Sequence, residues 1–121
     1  MKLRSKHSNA KKTACLHGHI HDSRKEARRC NDLHILQSAG AIIGLRNQPR
    51  YDFHISGRPV RMGNGQCARV TLDFAYFEMP GERAIAEDVK GRSKLADSRD
   101  WPLRRAIFKA LYPEIELREI R

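Results

Sequence analysis

At 121 residues the chain has room for one domain with a modest core, and 40% hydrophobic against 31% charged residues argues for a folded body over disorder. Its 24 Lys and Arg against 14 Asp and Glu leave a formal charge of +10, which points to a polyanionic partner, nucleic acid ahead of an anionic membrane surface. No apolar run of about 18 residues and no apolar leader follows the basic N-terminus, so neither a transmembrane span nor a signal peptide is expected. Cys15, Cys30 and Cys67 are odd in number and widely spaced, which fits a reducing cytoplasmic setting and not a disulfide framework.

In chain order, residues 1–12 read as a flexible basic arm and 13–121 as a single domain. Thr13–Leu16 and Gly18–His21 suggest short strands about a turn at His17-Gly18. Asp22-Ser23 starts a helix from Arg24 to Ala39, with Ala27, Cys30, Leu33, Leu36 and Ala39 on one face and Gly40 as terminator. Arg24, Lys25, Arg28 and Arg29 are assigned to its outer sides. Strands follow at Ile42–Leu45 and Tyr51–Ile55, the second with Tyr51, Phe53 and Ile55 inward. Ser56-Gly57-Arg58-Pro59 and Gly63-Asn64-Gly65 are turn chemistry. Cys67–Phe77 reads as one long strand, closed by a hairpin at Pro80-Gly81 onto Arg83–Lys90. Gly91–Ser98 is a polar loop. Asp100 caps a helix with Pro102 in its first turn, running to about Tyr112 with Leu103, Ile107, Ala110 and Leu111 inward. Pro113 ends it, and Ile115, Leu117 and Ile120 mark a last strand. Helix, strands, helix, strand makes an α/β fold around a small mixed sheet flanked by helices.

The chemistry-bearing residues are Asp73 and Glu87-Asp88-Val89-Lys90. Asp88 and Lys90 lie two apart on a strand and therefore share a face. A hairpin closed at Pro80-Gly81 brings Asp73 toward them. Two carboxylates suit Mg²⁺, which takes oxygen ligands, and an ammonium beside them suits a phosphodiester transition state. Val89 offers a backbone carbonyl as a further ligand. An exposed cross-strand ion pair explains the same residues without catalysis.

The pattern Asp73…Asp88-x-Lys90 resembles the D…(D/E)-x-K signature of the restriction-endonuclease-like nuclease superfamily. Beyond it, Gly18-x-x-x-Asp22-Ser23-x-Lys25-Glu26-Ala27, Gln48-Pro49, Asp73-Phe74, Glu87-Asp88-Val89-Lys90-Gly91 and Leu111-Tyr112-Pro113 resemble, in order, a family of small phage-encoded proteins of that superfamily. The resemblance implies a restriction-endonuclease-like core of helix, three strands, helix and strand. It implies Mg²⁺ or Mn²⁺ held by Glu26, Asp73 and Asp88, with Lys90 beside the attacking water. Its relatives include Holliday-junction resolvases, many of them dimeric, so a homodimer is the expectation by analogy. Many relatives carry a proline before the first aspartate, where this chain has Leu72.

Other residues have bland readings beside the functional ones. Ser23-x-x-Glu26 is a capping-box pattern, so residues alone leave Glu26 equally a cap and a ligand. Gln48 shapes a turn or places an amide near the site. Cys15, His17, His19 and His21 alternate as zinc ligands on one strand would, but Gly18 invites a turn, and an exposed, phosphate-facing histidine edge is the expectation. Cys30 reads as a small core residue and Trp101 as a core anchor. Arg24, Lys25, Arg28, Arg92, Lys94, Arg104 and Arg105 are the candidate DNA-binding cations. The expected function is metal-dependent DNA endonuclease activity on branched, nicked or otherwise structured DNA, in phage recombination, repair or genome processing. The alternatives are a non-catalytic basic DNA-binding accessory protein and a protein acting on RNA.

Overall fold

The computed structural model describes residues 12–21, 23–90 and 100–121. Ser23 starts helix α1 (Arg24–Ser38) by accepting the Glu26 N–H on its hydroxyl at 3.1 Å, satisfying one of the helix's orphan donors. Ala27, Cys30 and Leu33 are buried along one stripe. The predicted stripe stops there: Leu36 and Ala39 are both exposed, and Gly40 leaves the helix at φ +82°, where a side chain would be strained.

The α1 stripe packs on a four-stranded sheet. Strands β3 (Ile42–Asn47), β8 (Phe74–Glu78) and β9 (Arg83–Val89) form an antiparallel meander. Strand β10 (Glu116–Ile120) joins β9 in parallel, which requires the crossover that helix α2 (Trp101–Leu111) provides. The strand period of two sorts the faces. Ile85 packs with Cys30, Leu33, Phe74 and Tyr76 on the α1 side, and its neighbour Ala86 packs with Phe108 of α2 on the other.

Smaller pieces complete the fold. Strands β1 (Thr13–Ala14) and β2 (Ile20–His21) pair in front of α1. Strand β4 (Arg50–Asp52) pairs with β7 (Arg69–Thr71), and β5 (His54–Ile55) with β6 (Arg58–Pro59) across Ser56-Gly57. Tyr51, Phe53, Val70 and Leu72 carry the core out toward α2.

Four expectations are corrected. The predicted strand Cys67–Phe77 is two strands, because β7 pairs with β4 whereas β8 pairs with β3 and β9. The change of partner falls at Leu72-Asp73, opposite a matching break at Gln48-Pro49, where Gln48 sits at φ 55°. Hydrogen bonds bridge the break: Leu72 N–H to the Pro49 carbonyl (3.0 Å), and Gln48 N–H to the Asp73 carbonyl (2.9 Å). Ile55 is not buried but 70% exposed, since the small β5–β6 sheet leaves it lining the open groove beside α2. On α2 the buried residue is Phe108, with Ile107 and Leu111 half-buried, while Leu103 and Ala110 face out. Asp100 stands at the cap position, but its side chain makes no capping bond. The arm at 1–11, Asp22, and the loop holding Arg92 and Lys94 lie outside the described residues.

Candidate active site

Asp73 stands at the bend that opens β8, not inside a continuous strand as expected. Its N–H donates to the Glu87 carbonyl at 2.9 Å, and its Oδ2 accepts the Val89 N–H at 2.6 Å. The acid is thus fixed against the end of β9, beside Asp88 and Lys90. Val89 thus meets Asp73 through its backbone N–H.

Glu26 comes to the same place from the first turn of α1. It is 4% exposed, and no bond from its carboxylate returns to Ser23; only its backbone N–H is capped. Its Oε2 lies 2.8 Å from His21 Nδ1 and 3.4 Å from the Gln48 amide nitrogen. The positive-φ turn that breaks the strand therefore also aims Gln48 at the site. Burial, the charges of Glu26 and Asp88 and a hydrogen bond with Glu26 push the Asp73 carboxyl up to about 8, against the Val89 N–H, which favours the ionised form.

Lys90 folds back onto Asp88, Nζ to Oδ2 at 2.6 Å, with its ammonium 4.0 Å from the centre of the Trp101 ring and 3.8 Å from Glu119 Oε1. It is 5% exposed. Position 90 is held through the backbone too: its N–H donates to the Ile120 carbonyl at 2.7 Å, and its carbonyl accepts from Lys25 Nζ at 2.9 Å. Trp101 is the anchor expected, with a second duty as a lid over the ammonium, its Nε1 donating to Glu119 at 3.3 Å. A polar cleft of about 370 Å³ opens beside this group, lined by Arg69, Thr71, Asp88, Trp101 and Arg104. An apolar groove of about 560 Å³ adjoins it between α2 and β5–β6, sharing Asp100 and Arg104 with the cleft.

The expected cations divide. Arg24 and Arg28 are exposed on α1. Lys25 is spent on the Lys90 carbonyl, and Arg105 holds Glu119 at 2.8 Å. Arg104 borders the polar cleft while donating to the Arg69 carbonyl. Arg29, assigned to the outer side, instead reaches inward and grips Glu87 through two hydrogen bonds, at 2.8 and 2.5 Å. Glu87 is fully buried and also accepts the Tyr76 hydroxyl.

The sequence reading missed Arg69, Glu119 and the Glu87 network. The alternation of β9 held a signal for the last: if Asp88 faces one side, Glu87 faces the other and needs a cation there. The exposed histidine edge is also corrected. His21 is 2% exposed and turned inward, and His17 lies apart, stacked on His34 at 3.7 Å.

Among the described residues no helix is long and apolar enough to cross a membrane. No curated protein and no solved structure matches the chain. A family model described as "Protein of unknown function (DUF1064)" matches residues 4–121, almost the whole length, and the chain belongs to that family.

Proposed function

We propose that this protein is a divalent-metal-dependent endonuclease of the restriction-endonuclease-like class, hydrolysing phosphodiester bonds in DNA. The observation that carries the reading is the convergence of Glu26, Asp73, Asp88 and Lys90 at one end of the sheet from α1, β8 and β9. The element order supports it: α1, then the meander β3-β8-β9, then α2, then β10 parallel to β9. That is the order of helix, three strands, helix and strand which the resemblance implied.

The donor set fits Mg²⁺ or Mn²⁺. Three carboxylates supply hard oxygen ligands, and a cation among them would offset the burial and the mutual repulsion that raise Asp73. Glu26, Asp73 and Asp88 would hold the ion. When bound, it would lower the pKa of a water molecule and offset charge on a phosphate. The rest falls to the chain. Val89 N–H and the Glu87 carbonyl fix Asp73, while His21 and Gln48 steer Glu26. Lys90 brings one positive charge beside Asp88, where it orients the nucleophile and stabilises the extra charge of the transition state. Trp101 shields that ammonium from water, which strengthens its field. Arg104 and Arg69 offer phosphate contacts in the adjoining cleft, and Arg24 and Arg28 on α1. Among the described residues no separate base-reading element stands out, so structured DNA, in phage recombination, repair or genome processing, is the proposed substrate, with a homodimer as the proposed assembly. A cytoplasmic location belongs to the same proposal.

The test incubates purified protein with linear, nicked, flapped and four-way-junction DNA in Mg²⁺, Mn²⁺ or EDTA. Asp73→Ala runs alongside. The expected result is cleavage that needs the metal and is absent in the variant, with binding retained. Binding without cleavage under every metal condition would instead favour a DNA-binding accessory protein. Preferential action on structured RNA would move the substrate class.

A further inference from the structure

Four side chains outside the carboxylate cluster converge in front of α1. Cys15 and His19 come from the turn between β1 and β2, His21 from β2, and Cys30 from the buried stripe of α1. One ligand atom from each lies within 4.8 Å of all the others. We propose that Cys15, His19, His21 and Cys30 form a structural site for a tetrahedral, thiophilic divalent ion, Zn²⁺ above all.

The spacing is quantitative. A tetrahedral ion with Zn–S of about 2.3 Å and Zn–N of about 2.05 Å places S and N about 3.6 Å apart. His19 Nδ1 lies 3.4 Å from Cys15 Sγ and 3.5 Å from Cys30 Sγ. Two thiolates and two imidazoles complete a closed set, and soft donors of this kind select zinc over the Mg²⁺ that three carboxylates prefer.

His21 supplies an independent observation. Its Nδ1 is taken by Glu26, so Nε2 is the nitrogen left to face the cysteines, and Nε2 is buried without a hydrogen-bond partner. A buried imidazole nitrogen with no partner is costly, and an ion resolves it. A carboxylate on the far nitrogen is the arrangement that fixes the tautomer of a metal-bound histidine. The Cys15 sulfur points the same way, accepting the His17 backbone N–H at 3.4 Å. Asn47 Nδ2 donates to Cys30 Sγ at 3.6 Å, as an outer partner of a thiolate would.

The site also explains how this corner holds. Strands of two residues each, paired with each other alone, cannot sustain a hairpin in water. A metal joining both ends of the turn to Cys30 would staple it to α1. It would also fix His21 behind Glu26, although the site stands whether or not the carboxylates cut DNA.

Metal analysis of the purified full chain should find one equivalent of zinc. Chelated protein titrated with Co²⁺ should develop the thiolate charge-transfer and intense d–d absorption of a tetrahedral S₂N₂ site, saturating at one equivalent and bleached by Zn²⁺. His19→Ala, at a half-exposed position, should weaken Zn²⁺ binding at least about tenfold. Cys15→Ser with Cys30→Ser should abolish the cobalt bands. His17→Ala, outside the cluster, should leave the stoichiometry unchanged. Zinc-free protein giving no cobalt spectrum would overturn the proposal, as would zinc retained by the double cysteine variant. If zinc binds and DNA is not cut, the carboxylate reading fails alone.

Discussion

The Asp73 carboxylate accepts the Val89 backbone N–H at 2.6 Å, so the acid that opens β8 is tied to the residue between Asp88 and Lys90. The two strands thus share one small site, and Asp73 and Asp88 should fail together. Asp73→Ala and Asp88→Ala should each lower Mg²⁺-dependent cleavage by at least about 10²-fold while DNA binding persists. Single-turnover cleavage beside a filter-binding assay separates the two effects.

Lys90 should matter for its charge more than its volume. Lys90→Met keeps the aliphatic stem against Trp101 and removes the ammonium 2.6 Å from Asp88. Cleavage should fall by about 10²-fold or more, with the thermal midpoint little changed. A variant that keeps full activity would remove Lys90 from the mechanism.

The metal-free protein should lose stability as pH rises. Asp73 releases its proton at 3.8 in an ordinary setting but at about 8 in the fold, because of burial and the charges of Glu26 and Asp88. Between those values the unfolded chain binds fewer protons than the folded one, so its ionisation favours unfolding; below 3.8 the two states do not differ. Thermal midpoints in EDTA should therefore drop from about pH 5 to about pH 8, and Mg²⁺ should flatten the drop by favouring the ionised carboxylate. A midpoint that climbs across this window in EDTA would contradict the assignment.

Removing Arg29 strands a fully buried carboxylate. Arg29→Met should cost about 3–5 kcal/mol in urea unfolding, since Glu87 keeps only the Tyr76 hydroxyl. Adding Glu87→Gln should recover much of that loss, a non-additivity that a double-mutant cycle would measure.

Salt dependence should sort the cations. Arg24→Ser and Arg28→Ser act at exposed positions, and each should make the slope of log K against log salt shallower by about 0.9, the value for one phosphate left without its guanidinium. Arg105→Ala should shift stability more than that slope, because its guanidinium holds Glu119 at 2.8 Å.

Local patterns in the sequence carried the element order, since the Ala27, Cys30 and Leu33 stripe and the Asp88-x-Lys90 pair depend only on the helical and strand periods. Partner exchange was not legible. Between Val70 and Phe74 only Asp73, a residue depleted in strands, hints at a break, and nothing there says that the ladder passes from β4 to β3 and β9. The cysteine–histidine cluster was half legible. Alternation along one strand suggested His17, but the turn at Gly18 swings His17 out to His34, and Cys30 arrives from 15 residues further along the chain than Cys15. Apolar packing was misjudged at Ile55, on a two-residue strand, and at Leu103, near the start of α2, because exposure there depends on what neighbouring elements cover.

The buried Glu87 does more than satisfy Arg29. In a strand, sliding the ladder by one residue exchanges the two faces, so a slipped β9 would present Asp88 to the apolar interior beside Phe74 and turn Glu87 toward the solvent cleft. Ile85 and Val89 oppose that error too, since both would leave the α1 side for the face where Ala86 packs against Phe108. A guanidinium and a phenol waiting at one depth make the error electrostatically expensive. The acidic residue that never meets DNA thereby works as an alignment key for the one proposed to hold the metal.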